Sequence, residues 1–177
     1  MMKYKIFGAI LLFHFNCLAQ KLSIEQSKLT DLFTQVLRDL AKNRDNQITY
    51  PFINYDNINY IQTFVKDGGL NDLKEKKDWT FISDVNNSTK FQYQKVERDK
   101  IKKQLILSNI KISRFKNEKL TFTPFVFSNN FNKTCFVFQE TYFPGNNTAN
   151  RLNTIICFYE YIDNVWVRIH AWPVVID

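Results

Sequence analysis

The firmest pattern in the chain runs through Leu29, Leu32, Phe33, Val36, Leu37 and Leu40, whose spacing of i, i+3, i+4 and i+7 sets them on one helical face. Lys28, Asp31, Arg38 and Asp39 occupy the other side. Ser23, followed three residues later by Gln26, fits a capping box in which each side chain satisfies a backbone N–H left orphaned by the first turn. The pattern therefore predicts a helix over 24–41. Beyond it the periodicity lapses. Residues 48–60 mix aromatics with Asn and repeat Ile-Asn-Tyr at Ile53 and Ile58, in a period that suits neither helix nor strand, so the stretch reads as irregular. Asp67, Gly68 and Gly69 mark a turn, 71–78 suits a short helix and 93–104 another, with Val96 and Ile101 facing inward.

From Leu105 the texture becomes β. Residues 105–115, 120–128, 134–143, 152–162 and 165–176 are aromatic and β-branched runs divided by turn residues. The last divider is the pair Asp163-Asn164, which suits a tight hairpin because both residues tolerate positive φ. The expected fold is α+β: an N-terminal amphipathic helix and short helices packed on a C-terminal antiparallel β-meander of four to five strands.

Register follows from where the hairpins fold. A hairpin centred on Asn146 sets Cys135 opposite Cys157 and Glu140 opposite Leu152. Folding at Asp163-Asn164 sets His170 opposite Cys157, Arg168 opposite Tyr159 and Trp166 opposite Tyr161. One face then carries Phe136, Phe138, Ile156, Phe158, Val165, Val167, Ile169 and Ala171, an apolar seat for the N-terminal helix. The other gathers Tyr159, Tyr161, Trp166, Arg168, His170 and Trp172 beside Gln139 and Asn153, and these six are the candidate binding residues. Flat rings offer contact area at low entropic cost, and Arg168 can fork onto a carboxylate or phosphate while stacking on a ring. The same rings can equally be packing, since Phe125, Val137 and Ile155 share that face.

The N-terminus assigns a compartment. Met1 to Lys5 carries two lysines, Ile6 to Phe15 is almost unbroken apolar, and Cys17, Leu18 and Ala19 offer small residues before Gln20. That order reads as a signal peptide over 1–19, leaving 20–177 as one exported domain, periplasmic or extracellular. The apolar stretch falls short of the roughly 20 residues that cross a bilayer, as does every later segment. Lipid attachment at Cys17 wants a small residue just before it, where Phe15 and Asn16 stand. In an oxidising compartment, cysteines on facing positions of adjacent strands form a disulfide, so Cys135–Cys157 is expected to be one.

Charge and composition exclude more than they assign. The full chain carries +7, of which Lys3 and Lys5 leave with the leader. The basic clusters Lys74, Lys76, Lys77 and Lys95, Arg98, Lys100, Lys102, Lys103 are interrupted by Asp72, Glu75, Asp78, Glu97 and Asp99, which favours a solvated helix face over a nucleic-acid patch. With His14 and Cys17 in the leader, His170, Cys135 and Cys157 remain, too few for most zinc sites or for Cys-His catalysis. No Gly-x-Ser-x-Gly elbow, P-loop or dinucleotide fingerprint occurs. Glu140, Glu160 and Asp163 are the candidates for a carboxylate pair, and the register does not face Glu140 with Glu160. No cofactor, no metal site and no catalytic residue is expected.

The tail with Pro124, Phe127-Ser128, Cys135, Asn164, Trp166 and Trp172 resembles, over roughly the last third of the chain, the C-terminal meander of small exported bacterial proteins of unassigned function. Those proteins carry glycines and a further cysteine in the hairpin loop, where this chain has Pro144 to Arg151. The order of helices first and curved meander last is also similar to cystatin-like and nuclear-transport-factor-like cones, a resemblance that implies a pocket between helix and sheet and no residue roles. Two functions follow. One is an exported binding or interaction domain, an inhibitor or immunity-type partner of another protein, using the ring face. The other is a small hydrolase or pocket protein with His170 lining a cavity between sheet and helix.

Overall fold

The computed structural model describes residues 26–42, 44–49, 52–53, 59–73, 75–83, 90–91, 98–113, 118–123, 125–142 and 151–174. The signal peptide, Ser23 of the capping box and Val96 lie outside the described residues. The expected α+β arrangement is present. Helix α1 covers 26–41 and buries Leu29, Leu32, Phe33, Val36 and Leu37, the stripe that its spacing predicts. Two-residue strands β1 (Gln47–Ile48) and β2 (Phe52–Ile53) follow, then helix α2 (Asn59–Lys66) and two 3-10 segments, η1 (Gly69–Asp72) and η2 (Lys76–Ile82). A short β3 (Lys90–Phe91) precedes helix α3 (Arg98–Leu107). The remaining strands are β4 (Lys111–Ile112), β5 (Glu118–Phe122), β6 (Phe125–Phe127), β7 (Lys133–Tyr142), β8 (Arg151–Ile162) and β9 (Val165–Val174).

β7 is the spine of the sheet. Antiparallel β5 and β6 lie end to end along one of its sides and β8 along the other, with β9 outermost beyond β8. Short β2 adds in parallel to β5, and β3 antiparallel to β6. Between β5 and β6 the Thr123 hydroxyl replaces a ladder carbonyl: it accepts the Val137 N–H at 2.8 Å while the Thr123 N–H donates to the Val137 carbonyl at 2.9 Å. A separate parallel pair joins β1 to β4.

Both faces of the sheet are covered. Beneath α1 and α3 lie Phe122, Phe125, Phe136, Phe138, Cys157, Tyr159 and Trp166. Beneath α2 and η2 lie Val126, Cys135, Val137, Ile156 and Phe158, joined by Ile61, Phe64, Trp79 and Ile82. Residues 133–139 are accordingly buried without alternation, as a strand sandwiched on two sides must be.

Three sequence expectations are corrected. Residues 59–66, which begin in the stretch read as irregular and run through 61–66, to which the sequence pattern assigns no element, form α2, where Ile61, Phe64 and Val65 hold i, i+3, i+4 spacing. The short helix expected over 71–78 is replaced by η1 and η2, offset to either side of it. The strand expected over 105–115 is the end of α3 followed by the two residues of β4; Leu105 completes the buried stripe begun by Ile101, and this inward contact extends the helix past its expected end.

Candidate functional site

The β8–β9 hairpin carries all six candidate residues, and its turn forms as the sequence requires. Asp163 and Asn164 sit at φ 49° and 65°, the left-handed pair of a two-residue hairpin turn. Tyr159 faces Arg168 and Tyr161 faces Trp166, the pairs expected from that turn. Between Phe158 and Tyr159 the register then shifts, because β9 holds one extra residue, Ile169. His170 therefore stands opposite Phe158, and not opposite Cys157 as expected; Trp172 stands opposite Ile156.

That bulge divides the six residues between two faces. Tyr159 and Trp166 are buried beneath α1, not presented as an open ring surface. The Trp166 indole N–H donates to the Lys28 carbonyl at 2.9 Å, and the Tyr159 hydroxyl donates to Asp39 Oδ2 at 3.0 Å. Tyr161 packs at 5.2 Å from the Trp166 ring, with the Lys28 ammonium 4.5 Å from its own. His170 and Trp172 turn to the opposite face. Trp172 packs 5.7 Å from Phe64 of α2, and the His170 ring lies 5.3 Å from Trp172 and 6.3 Å from Phe158. Arg168 is exposed on the outer strand.

The cysteine pairing is overturned by a one-residue slip. In the structure Cys135 faces Phe158 and Cys157 faces Phe136, so the two side chains point to opposite sides of the sheet. Both are free, buried thiols, one in each core. Burial, with Cys157 adding to it, pushes the Cys135 thiol well up. Burial also pushes Cys157 up to about 12, against the pull of nearby Arg168 and with the help of Asp39. Neither is a thiolate at neutral pH, which removes the form that attacks or binds metal. The same slip sets Glu140 opposite Asn153 instead of Leu152, where it pairs with Arg44. Glu160 stands opposite Lys133.

Lys133 gathers the clearest polar cluster among the described residues. Its ammonium lies 2.8 Å from Asp78, 3.4 Å from Glu160 and 3.8 Å from Glu75, and 5.5 Å from the Trp79 ring. Burial works against its charge, but the hydrogen bond to Asp78 and the field of Glu160 outweigh it, so its pKa rises. The hydrogen bond from Lys133 in turn lowers the pKa of Asp78. The cluster ties η2 to the sheet. Among the described residues no group of three or more His, Cys, Asp or Glu side chains is placed to hold a metal ion. No helix among them is long and apolar enough to cross a membrane.

Of the side chains expected on the apolar core face, Phe136, Phe138, Ile156 and Phe158 are buried, whereas Val165, Val167 and Ile169 are left outside. Ile162, Val165, Val167 and Ile169 are exposed, Val165 at 57%, along the last hairpin. Val165 and Val167 alternate with buried Trp166 and so point away from α1, and the bulge at Ile169, which nothing in the sequence signals, changes the facing only of the residues after it. A groove of about 730 Å³ lies elsewhere, between the end of α3 and β4, lined by Lys102, Ile106, Asn109, Ile110, Lys111, Ile112 and Ser113; none of the six candidates touches it. No family model, no curated protein and no solved structure matches the chain.

Proposed function

We propose that the chain is an exported binding domain, an inhibitor or immunity-type partner of another protein, and that it makes contact through the outer edge of β9. The observation that carries this reading is the row Val165, Val167 and Ile169, exposed on a strand whose outer side has no neighbour among the described residues. An unpaired strand offers a row of N–H and C=O groups to an added strand, and proteins that do not use such an edge blunt it with charge or proline. Here the blunting consists of Arg168, the bulge at Ile169 and, near the end, Pro173, which leaves the stretch from Val165 to Val167 open. Arg168, exposed between Val167 and Ile169, adds a guanidinium that can fork onto a partner carboxylate. The ring face that the sequence suggested contributes by stiffening this edge: Trp166 and Tyr159 anchor β8 and β9 to α1.

The competing pocket reading needs a cavity at His170. That ring is half-buried against Trp172 and Phe158, and the groove at α3 does not reach it. The test is recovery of partners from the native secretome on immobilised wild-type protein, Val167→Lys and Arg168→Ala. Val167 is exposed, so the lysine leaves the fold intact while charging the edge. Loss of a partner on Val167→Lys is expected, with a weaker loss on Arg168→Ala. Equal recovery on all three removes the proposal.

A further inference from the structure

The solvent side of α3 carries chemistry that neither the core nor the β8–β9 hairpin uses. At about 100° per residue, Asp99, Lys100, Lys102, Lys103, Ile106 and Leu107 fall within one arc of the helix, while Ile101 and Leu105 point into the core. Ile106 and Leu107 are 68% and 77% exposed, more than any other large hydrophobic side chain among the described residues. They stand together at the C-terminal end of the helix, where the groove toward β4 continues the apolar surface through Ile110 and Ile112. Lys102 and Lys111 line that groove, and Lys100 and Lys103 stand outside its lining on the solvent arc of α3.

We infer that this end of α3 is a contact surface for a lipid bilayer bearing anionic headgroups. Two protruding aliphatic side chains enter the edge of the hydrocarbon, and four ammonium groups stay level with the phosphates, their stems lying along the apolar boundary. On the solvent arc of α3 three of these cations, Lys100, Lys102 and Lys103, stand against one acid, Asp99. The charge pattern separates this occupant from a protein partner. Lysine is depleted in the buried centre of protein interfaces, whereas beside inserted aliphatics it is the residue that an anionic membrane surface attracts. Because no described helix is built to cross a bilayer, the contact is one of lying on the surface.

The test is co-sedimentation of the full chain with vesicles of phosphatidylcholine, with and without phosphatidylglycerol, at low and high salt. The expected result is binding to the anionic vesicles, at least about tenfold above the zwitterionic ones and weakened by salt. Ile106→Ser with Leu107→Ser is expected to lower the partition coefficient about tenfold. Lys102→Glu with Lys103→Glu, which leaves the apolar end untouched, is expected to lower it about 30-fold or more. Val167→Lys, which tests the β9 edge, should bind vesicles as wild type does, so the two readings fail separately. Absence of vesicle binding, indifference to headgroup charge, or wild-type binding by both α3 variants overturns the inference. So does a self-associated wild type that sediments as a monomer once Ile106 and Leu107 are serine, with no vesicle binding, for the patch is then a contact between copies.

Discussion

Replacing Tyr159 by Phe isolates the contact that fixes α1 over the sheet. The ring is fully buried and stacks on Phe136 with centroids 5.8 Å apart, so an isosteric phenyl keeps the packing. What is lost is the hydroxyl that donates to Asp39 Oδ2 at 3.0 Å. The other oxygen of that carboxylate accepts from Gln35 Nε2 and from Lys42 Nζ, each at 3.1 Å, and neither is placed to replace the phenol at Oδ2. A hydrogen bond to a charged acceptor is worth about 1.5–3 kcal/mol, and the removal leaves a buried carboxylate oxygen unsatisfied, so a loss near 2 kcal/mol (order of magnitude) is expected. At roughly 2–4 °C per kcal/mol for a chain of this size, the midpoint falls by about 4–8 °C. Urea unfolding followed by circular dichroism, with an unchanged m-value, measures the loss. Asp39→Asn closes a double-mutant cycle, and the pair should be less destabilising than the sum of the singles. A Tyr159→Phe protein within about 0.5 kcal/mol of wild type, or strictly additive variants, refutes the reasoning.

The buried thiols give a chemical test of register. Ellman's reagent should find no reactive thiol in the folded chain and find both cysteines only after unfolding without reductant; a mass deficit of one disulfide in freshly exported protein refutes the register. Because the folded state holds the Cys157 proton up to about 12 while the unfolded thiol releases it near 9.0, the folded form binds more protons above pH 9. Stability should therefore be intact below about pH 9 and fall by up to about 4 kcal/mol as pH rises toward 12, and a flat urea midpoint across that window speaks against the burial. Gly69→Ala probes the other core: a Cβ there runs into the Phe64 ring, itself packed on Phe158 and Trp172, so a cost of about 1–3 kcal/mol is expected, and wild-type stability excludes the packing.

What the sequence made legible is what short-range chemistry decides. α1 is readable because a strong apolar stripe at helical spacing has one solution, and the Asp163-Asn164 turn because its two residues dictate the hairpin geometry. α2 carries its own signal in Ile61, Phe64 and Val65, obscured by the Asn and Tyr residues before it. The two-sided burial of β7 could be read from the unbroken Cys135-Phe136-Val137-Phe138 run, which suits a strand covered on both faces better than a meander with one open side. The β7–β8 register was not legible, because a long connection leaves a one-residue slip undetermined, and a single slip exchanges the faces of every side chain. The anionic cage around Lys133 left no local mark, since Asp78 and Glu160 meet it only through tertiary structure.

Parity decides which side chains of β9 are left for function. Near the turn, Trp166 points beneath α1 and Val165 and Val167 point outward; if the alternation ran on unbroken, His170 and Trp172 would follow Trp166 into the α1 core. One inserted residue, Ile169, reverses the alternation, so His170 and Trp172 close the second core against Phe158 and Phe64 instead. A single strand thereby contributes an indole to each side of the sheet. The aliphatics between those two anchors are held in place without being covered. Val167 and Ile169 are exposed between rings that pack on opposite sides of the sheet, and an edge anchored at both ends binds an added strand at a smaller ordering cost than a mobile one.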